Sequence, residues 1–141
     1  MSTENETLAR RFFEDLCNGR RLEVADEILA PGHRYHDPQS PDTGSGPDAM
    51  KQTVALYQDT LAGQWEVHEI VGCGDRVTAR WTGHGRHVKE IMGLAPTGRE
   101  IKVDALTLFR IEDGKIAENW TCWDTLGMLQ QLGAVPVGAT A

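Results

Sequence analysis

The chain has 141 residues, 40% of them hydrophobic and 25% charged, which suits one globular domain of the common ~100–150-residue size. Acidic residues number 21 against 14 basic, giving a net charge of −7, and this excludes the clustered Lys and Arg on which phosphate-backbone binding relies, so no nucleic acid partner is expected. No apolar run approaches the ~20 residues of a membrane-spanning helix, and residues 1–6 lack a basic-then-apolar leader, so a cytoplasmic protein with no membrane partner is the expectation.

Thr3-x-x-Glu6 has the form of a capping box. After it Leu8, Phe12 and Leu16, with Ala9, Phe13 and Cys17 beside them, recur at helical spacing up to Asn18-Gly19. Leu22, Ala25, Ile28 and Leu29 form a second short helix, ended by Pro31-Gly32. The Pro-, Asp- and Gly-rich stretch from His33 to Pro47 reads mainly as loop. Pro47 suits the first turn of a third helix, in which Met50, Val54, Tyr57 and Leu61 share a face and Gly63 marks the end.

From Trp65 the period changes to two, and strands are expected over 65–72, 75–87, 87–93, 100–111 and 115–123. Cys73-Gly74-Asp75 and Glu112-Asp113-Gly114 supply hairpin turns; the Asp-Gly pair suits type I′, whose two central residues take positive φ. Asp124 then opens a last short helix with Leu126, Leu129 and Leu132, closed by Gly133, and residues 136–141 read as a frayed tail. Helices followed by a long meander is an α+β order: one domain over 1–141, a cone-shaped bent antiparallel sheet packed on three N-terminal helices around one pocket.

Alternation sorts the strand residues by face. Val77, Ala79, Trp81, Gly83, Gly85 and His87 share one side, as do Ile101, Val103, Ala105, Thr107 and Phe109; these are taken as the cavity wall, with Asn119, Thr121 and Trp123 joining them from the last strand. Lys102, Asp104 and Arg110 point away, and so do Trp120, Leu106 and Leu108, which mark a dimer face, so a homodimer is expected.

Three titratable residues are candidates for catalysis. His87 lies on the inner wall and, with an ordinary pKa near ~6.5, can serve as acid or base at neutral pH; the alternative is a histidine bonded to backbone where the strand bends. Asp37 becomes a base if partial burial raises its pKa, and otherwise forms the Asx turn that Asp-Pro favours. Asp124 is either an N-cap, worth about 1 kcal/mol, or a direct pocket group. Metal is not expected: His33-x-x-His36 lies in a loop, His84 and His87 point to opposite faces, and Cys17, Cys73 and Cys122 lack short metal-type spacing and read as reduced thiols. Nucleophilic triads, phosphate loops and dinucleotide fingerprints are missing too.

Gly85-Arg86-His87-Val88, Gly93-x-x-Pro96-Thr97, Arg110-Ile111-x-Asp113-Gly114-Lys115-Ile116, Gly127-x-Leu129-x-Gln131-Leu132-Gly133 and Tyr35-x-x-Pro38 together resemble the SnoaL-like polyketide cyclase family, within the nuclear transport factor-like superfamily of cone-shaped α+β folds. The resemblance implies aldol-type ring closure of a polyketide ester without metal or organic cofactor. It also puts Tyr35, His36 and Asp37 near the cavity mouth, with Asp37 at the place of a family Asn that helps hold substrate. The family's catalytic aspartate falls on Thr121, the histidine two residues before it on Asn119, and the Gln and His of the preceding strand on Ala105 and Thr107, so all four are replaced. The reading is a cofactor-independent acid–base enzyme for a small hydrophobic carbonyl or polyketide-like molecule. Asp37, His87 and Asp124 are its catalytic candidates, and Tyr35, His36, Trp81, Thr107, Phe109, Asn119, Thr121 and Trp123 its substrate contacts. A non-catalytic binding protein, or a hydrolase or hydroxylase on the same fold, is the alternative.

Overall fold

The computed structural model describes residues 2–40, 42 and 44–136; apart from Pro136, the expected tail lies outside the described residues. Helix α1 (Ser2–Arg11) runs into a π-helical segment (Phe12–Asn18), followed by α2 (Val24–Ile28), β1 (Leu29–His36), α3 (Pro47–Leu61), β2 (Gln64–Cys73), β3 (Arg76–Arg86), β4 (Glu100–Glu112), β5 (Lys115–Trp123) and α4 (Thr125–Gln131). The wide π turn buries Phe12, Phe13, Leu16 and Cys17, apolar pairs four residues apart that a looser helix stacks on one face. Its end is fixed by side chains: the Gln58 amide donates to the Cys17 carbonyl (2.5 Å), and Asn18 exchanges two 2.7 Å bonds with the Trp65 backbone.

The five strands lie in the order β1-β5-β4-β3-β2, so β1 and β2 remain edges and the sheet does not close. β2 to β5 form the expected antiparallel meander, and the Asp113-Gly114 turn has positive φ at both residues (52° and 74°). The α+β architecture, a sheet packed on N-terminal helices, is as expected. A register break between Val67 and Glu69 lets β2 keep Trp65, Val67 and Ile70 against the core although their spacing is uneven.

Three local expectations are corrected. Residues 29–36 are a strand, not the end of a helix and a loop: β1 pairs in parallel with β5, and a register break between Leu29 and Arg34 accommodates Pro31-Gly32 on this edge. Residues 87–93 are not a strand; positive φ at Met92 (51°) and Gly93 (79°) turns the chain tightly between the bridged Ile91 and Leu94. The capping box does not form, because α1 begins before Thr3, whose carbonyl accepts from the Thr7 hydroxyl, while Glu6 reaches across to the Gly72 N–H (3.1 Å).

Burial follows the expected faces: Val77, Ala79, Trp81, Ile101, Val103, Ala105, Thr107, Phe109, Asn119 and Thr121 are all buried, whereas Leu106 and Leu108 are exposed. At one end of the inner face Phe12, Phe13 and Phe109 meet edge to face, with centroids 5.3–5.8 Å apart, and seal the core. Gly85 is required where α3 ends: a Cβ there would lie 2.3 Å from the Leu61 carbonyl.

Candidate active site

Cross-strand register stacks the inner residues in rows. Ala79, Thr107 and Thr121 are neighbours across β3, β4 and β5; Trp81, Ala105 and Trp123 form the next row. β1 brings Tyr35 beside Asn119 at the sheet edge, and the chain then turns at Asp37. Between these strands, the π segment and α3 lies an apolar cavity of about 80 Å³, lined among others by Tyr35, Asp37, Trp81, Thr107, Thr121 and Trp123. Beyond Tyr35, Asp37 and Met50, which line both, opens a more polar basin of about 600 Å³.

Asp37 is the terminus of nearly every polar contact at this junction. Its Oδ2 accepts from the Tyr35 hydroxyl (3.1 Å), the Ser40 hydroxyl (2.8 Å) and the Trp123 indole N–H (3.0 Å). Its Oδ1 accepts the Gln39 N–H (2.9 Å), which is the Asx turn before Pro38. Both expectations for this residue therefore meet in one geometry: it forms the turn and it lines the cavity.

The donors can be followed outward, because an ionised carboxylate only accepts and an indole only donates. Tyr35 gives its one proton to Asp37, so its oxygen can otherwise only accept. Beside it on the cavity wall Thr107 accepts from the Trp81 indole (3.0 Å) and pairs with Thr121 at 2.9 Å, where either hydroxyl can donate. A second arm enters from α3, where Tyr57 donates to Ser40 (2.7 Å), whose own proton goes to Asp37. Burial pushes the Tyr35 phenol well above its ordinary pKa and the Asp37 charge adds to this, with the Thr121 bond opposing. Tyr57 is pushed up to about 12, again chiefly by burial. Both phenols keep their protons at neutral pH.

The other expected residues stand elsewhere. Phe109 is fully buried in the aromatic end of the core rather than on the cavity wall. Asn119 is equally buried, and its Oδ1 accepts from His33 Nε2 (2.6 Å), a ring whose pKa burial lowers. His36 alternates to the outer face, where it meets Glu118 (2.5 Å) and stacks on Trp120 at 5.2 Å; the contact with His36 holds Glu118 below its usual range, with Arg110 assisting. His87 is buried outside the cavity lining, and its Nδ1 accepts from the Thr97 N–H (3.2 Å). Asp124 is exposed and caps α4 through the Gly127 N–H (2.8 Å). Sequence reasoning missed Tyr57 and Ser40. Tyr57 was legible as the one phenol on the apolar face of α3; Ser40 depends on how the loop folds back.

With that geometry in hand, comparison with known proteins is informative. The sequence model described as SnoaL-like polyketide cyclase matches residues 7–132. The aklanonic acid methyl ester cyclase of Streptomyces peucetius is 33% identical over 139 residues, spanning 94% of this chain and 92% of that enzyme. The nogalonic acid methyl ester cyclase of Streptomyces nogalater is 33% identical over 120 residues, spanning 82% and 88%. Among solved structures, TsrD from Streptomyces laurentii superposes with a TM-score of 0.82 at 29% identity, over 94% of this chain and 97% of that one.

Proposed function

Because the chain belongs to the SnoaL-like polyketide cyclase family, we propose that it is an acid–base enzyme needing neither metal nor organic cofactor, which removes a proton beside a carbonyl of a small hydrophobic or polyketide-like molecule and so drives cyclisation or isomerisation. One observation carries this reading: a carboxylate at the edge of an apolar cavity is the common acceptor of the Tyr35 hydroxyl and of the Tyr57–Ser40 hydroxyl chain. Asp37 is the base, and the carbonyl oxygen accepts a hydrogen bond from Thr121, a hydroxyl on the cavity wall. Such a donor, fixed before charge develops on the oxygen, lowers the barrier to enolate formation.

The cavity of about 80 Å³ is small beside the ~300–1,000 Å³ of ordinary ligand pockets. A one-ring β-keto ester therefore belongs in the test next to aklanonic and nogalonic acid methyl esters. In deuterated buffer, mass spectrometry reads label uptake at the acidic carbon and ring closure. The expected result is enzyme-dependent uptake with at least one probe, and a loss of about 10²–10⁴-fold in kcat/KM for Asp37→Asn. Uptake that survives that change removes Asp37 as base, and saturable binding without uptake favours a binding protein.

A further inference from the structure

The Asp37 oxygen shared with the cavity-lining Tyr35 and Trp123 is closed by its own donors. Oδ2 already accepts three hydrogen bonds and has no lone pair left for a substrate C–H, while Oδ1 accepts the Gln39 N–H of the Asx turn. Of the three donors on Oδ2, the Trp123 indole cannot take up a proton in exchange for the one it gives, and Ser40 does not line the apolar cavity. Tyr35 does line it, and its hydroxyl is held at 3.1 Å from Oδ2.

Resting on the reading above, we infer that Tyr35 is the group that touches the reacting carbon and that it shuttles the substrate proton to Asp37. A carbonyl oxygen accepts a hydrogen bond from Thr121 on the cavity wall, and the Tyr35 oxygen, whose own proton points to Asp37, offers a lone pair to the neighbouring C–H. The substrate C–H bond then breaks as a new O–H bond forms on Tyr35, and the original Tyr35 O–H bond breaks as its proton moves to Asp37 Oδ2. One proton is transferred in net; the carboxylate becomes a carboxylic acid, and the negative charge passes to the enolate, bonded to Thr121. Asp37 supplies the basicity and Tyr35 the reach, which is why a phenol kept protonated is suited to this position.

Tyr35→Phe, Asp37→Asn and the double variant are compared with the native chain on the probe that gives the fastest uptake. A shuttle acts as one unit, so all three variants fall to the same level, about 10²-fold or more below the native chain, with no further loss in the double variant. Tyr35→Phe within about 3-fold of native, while Asp37→Asn falls, overturns the shuttle and leaves Asp37 as a direct base. Absence of uptake by the native chain on every probe overturns the shuttle together with the proposed function. A second measurement needs no variant: tritium release from a probe labelled at the acidic carbon, timed in H2O and D2O. A shuttle has an exchangeable Tyr35 proton in flight and runs slower in D2O; equal rates mean direct transfer and overturn it. This measurement decides if the Tyr35→Phe melting curve reveals misfolding.

Discussion

Two corners of the inner wall hold a titratable group, half-buried Asp37 in one and fully buried His87 in the other, and they are built in opposite ways. Where β1 meets β5, Asp37 collects four donors, among them the Tyr35 hydroxyl on the cavity wall and the Ser40 hydroxyl that Tyr57 reaches from α3. Where β3 leaves the sheet, His87 is more deeply buried, yet its contacts are local. Its N–H donates to the Arg99 carbonyl (2.9 Å), its carbonyl accepts from Gly98 (2.8 Å), and its ring accepts from Thr97. Since Nδ1 accepts, the neutral ring carries its proton on Nε2, a buried atom with no hydrogen-bond partner among the described residues. Depth of burial therefore does not mark the candidate site. Only the first connects a proton acceptor to a cavity through groups that can each pass a proton on, and this distinguishes a candidate site from a histidine that stitches a turn.

The strongest way to break that contrast is Thr121→Val, which keeps shape and removes the cavity-wall hydroxyl that pairs with Thr107. If that hydroxyl serves the reaction, kcat/KM falls by about 10²-fold, mainly through kcat, as for loss of one oxyanion donor. Stability falls by only about 1–2 kcal/mol, for the Thr107 hydroxyl left without its Thr121 partner. If the cavity only binds, the change appears in ligand affinity and the melting curve, and the rate carries no comparable loss.

How much of this was legible follows from what each residue depends on. The faces of β3, β4 and β5 are local: alternation put Trp81, Thr107 and Thr121 inward and Leu106 and Trp120 outward, as observed. Depth along a strand is not local. Phe109 and Asn119 have the expected face, but they lie toward the sealed aromatic end, because α1 and the π segment decide where the hollow stops. β1 was hidden because its sequence, with Pro31-Gly32 and few apolar residues, becomes a strand only by pairing with β5, far along the chain. Its alternation then turns Tyr35 inward and His36 outward, to Glu118. The Asp37–Trp123 bond, 86 residues apart, is a product of that pairing and has no signature in either segment alone.

The second corner is probed by His87→Ala. Losing the acceptor for the Thr97 N–H and leaving a void where a fully buried ring stood lowers stability by about 2–3 kcal/mol, measured by chemical denaturation. At temperatures where the variant is folded, kcat/KM on the best probe stays within about 3-fold of native. A rate collapse with native stability would reverse the roles of the two corners and make His87 the acid–base group.

The smallest effect tests Asp124, a carboxylate that borders neither corner's chemistry. α4 has only seven residues, so it gains little from its own hydrogen bonds and leans on its ends. At the far end Gln131 bonds both the N–H and the carbonyl of Lys102 (2.8 and 2.9 Å), fastening the helix to β4. At the near end the fastening is Asp124, whose Oδ1 takes the Gly127 N–H, and Gly127 is needed because a Cβ would come within 2.2 Å of that carboxylate. Asp124→Ala therefore costs about 1 kcal/mol, and Asp124→Asn, which keeps an acceptor, costs less than half of that by the usual ranking of caps (~Asn equal to Asp). Neither changes the rate of uptake if the role is capping. A rate loss in both variants with an unchanged melting temperature would mean that this carboxylate acts on the ligand, and that the cavity reaches past Trp123 toward α4.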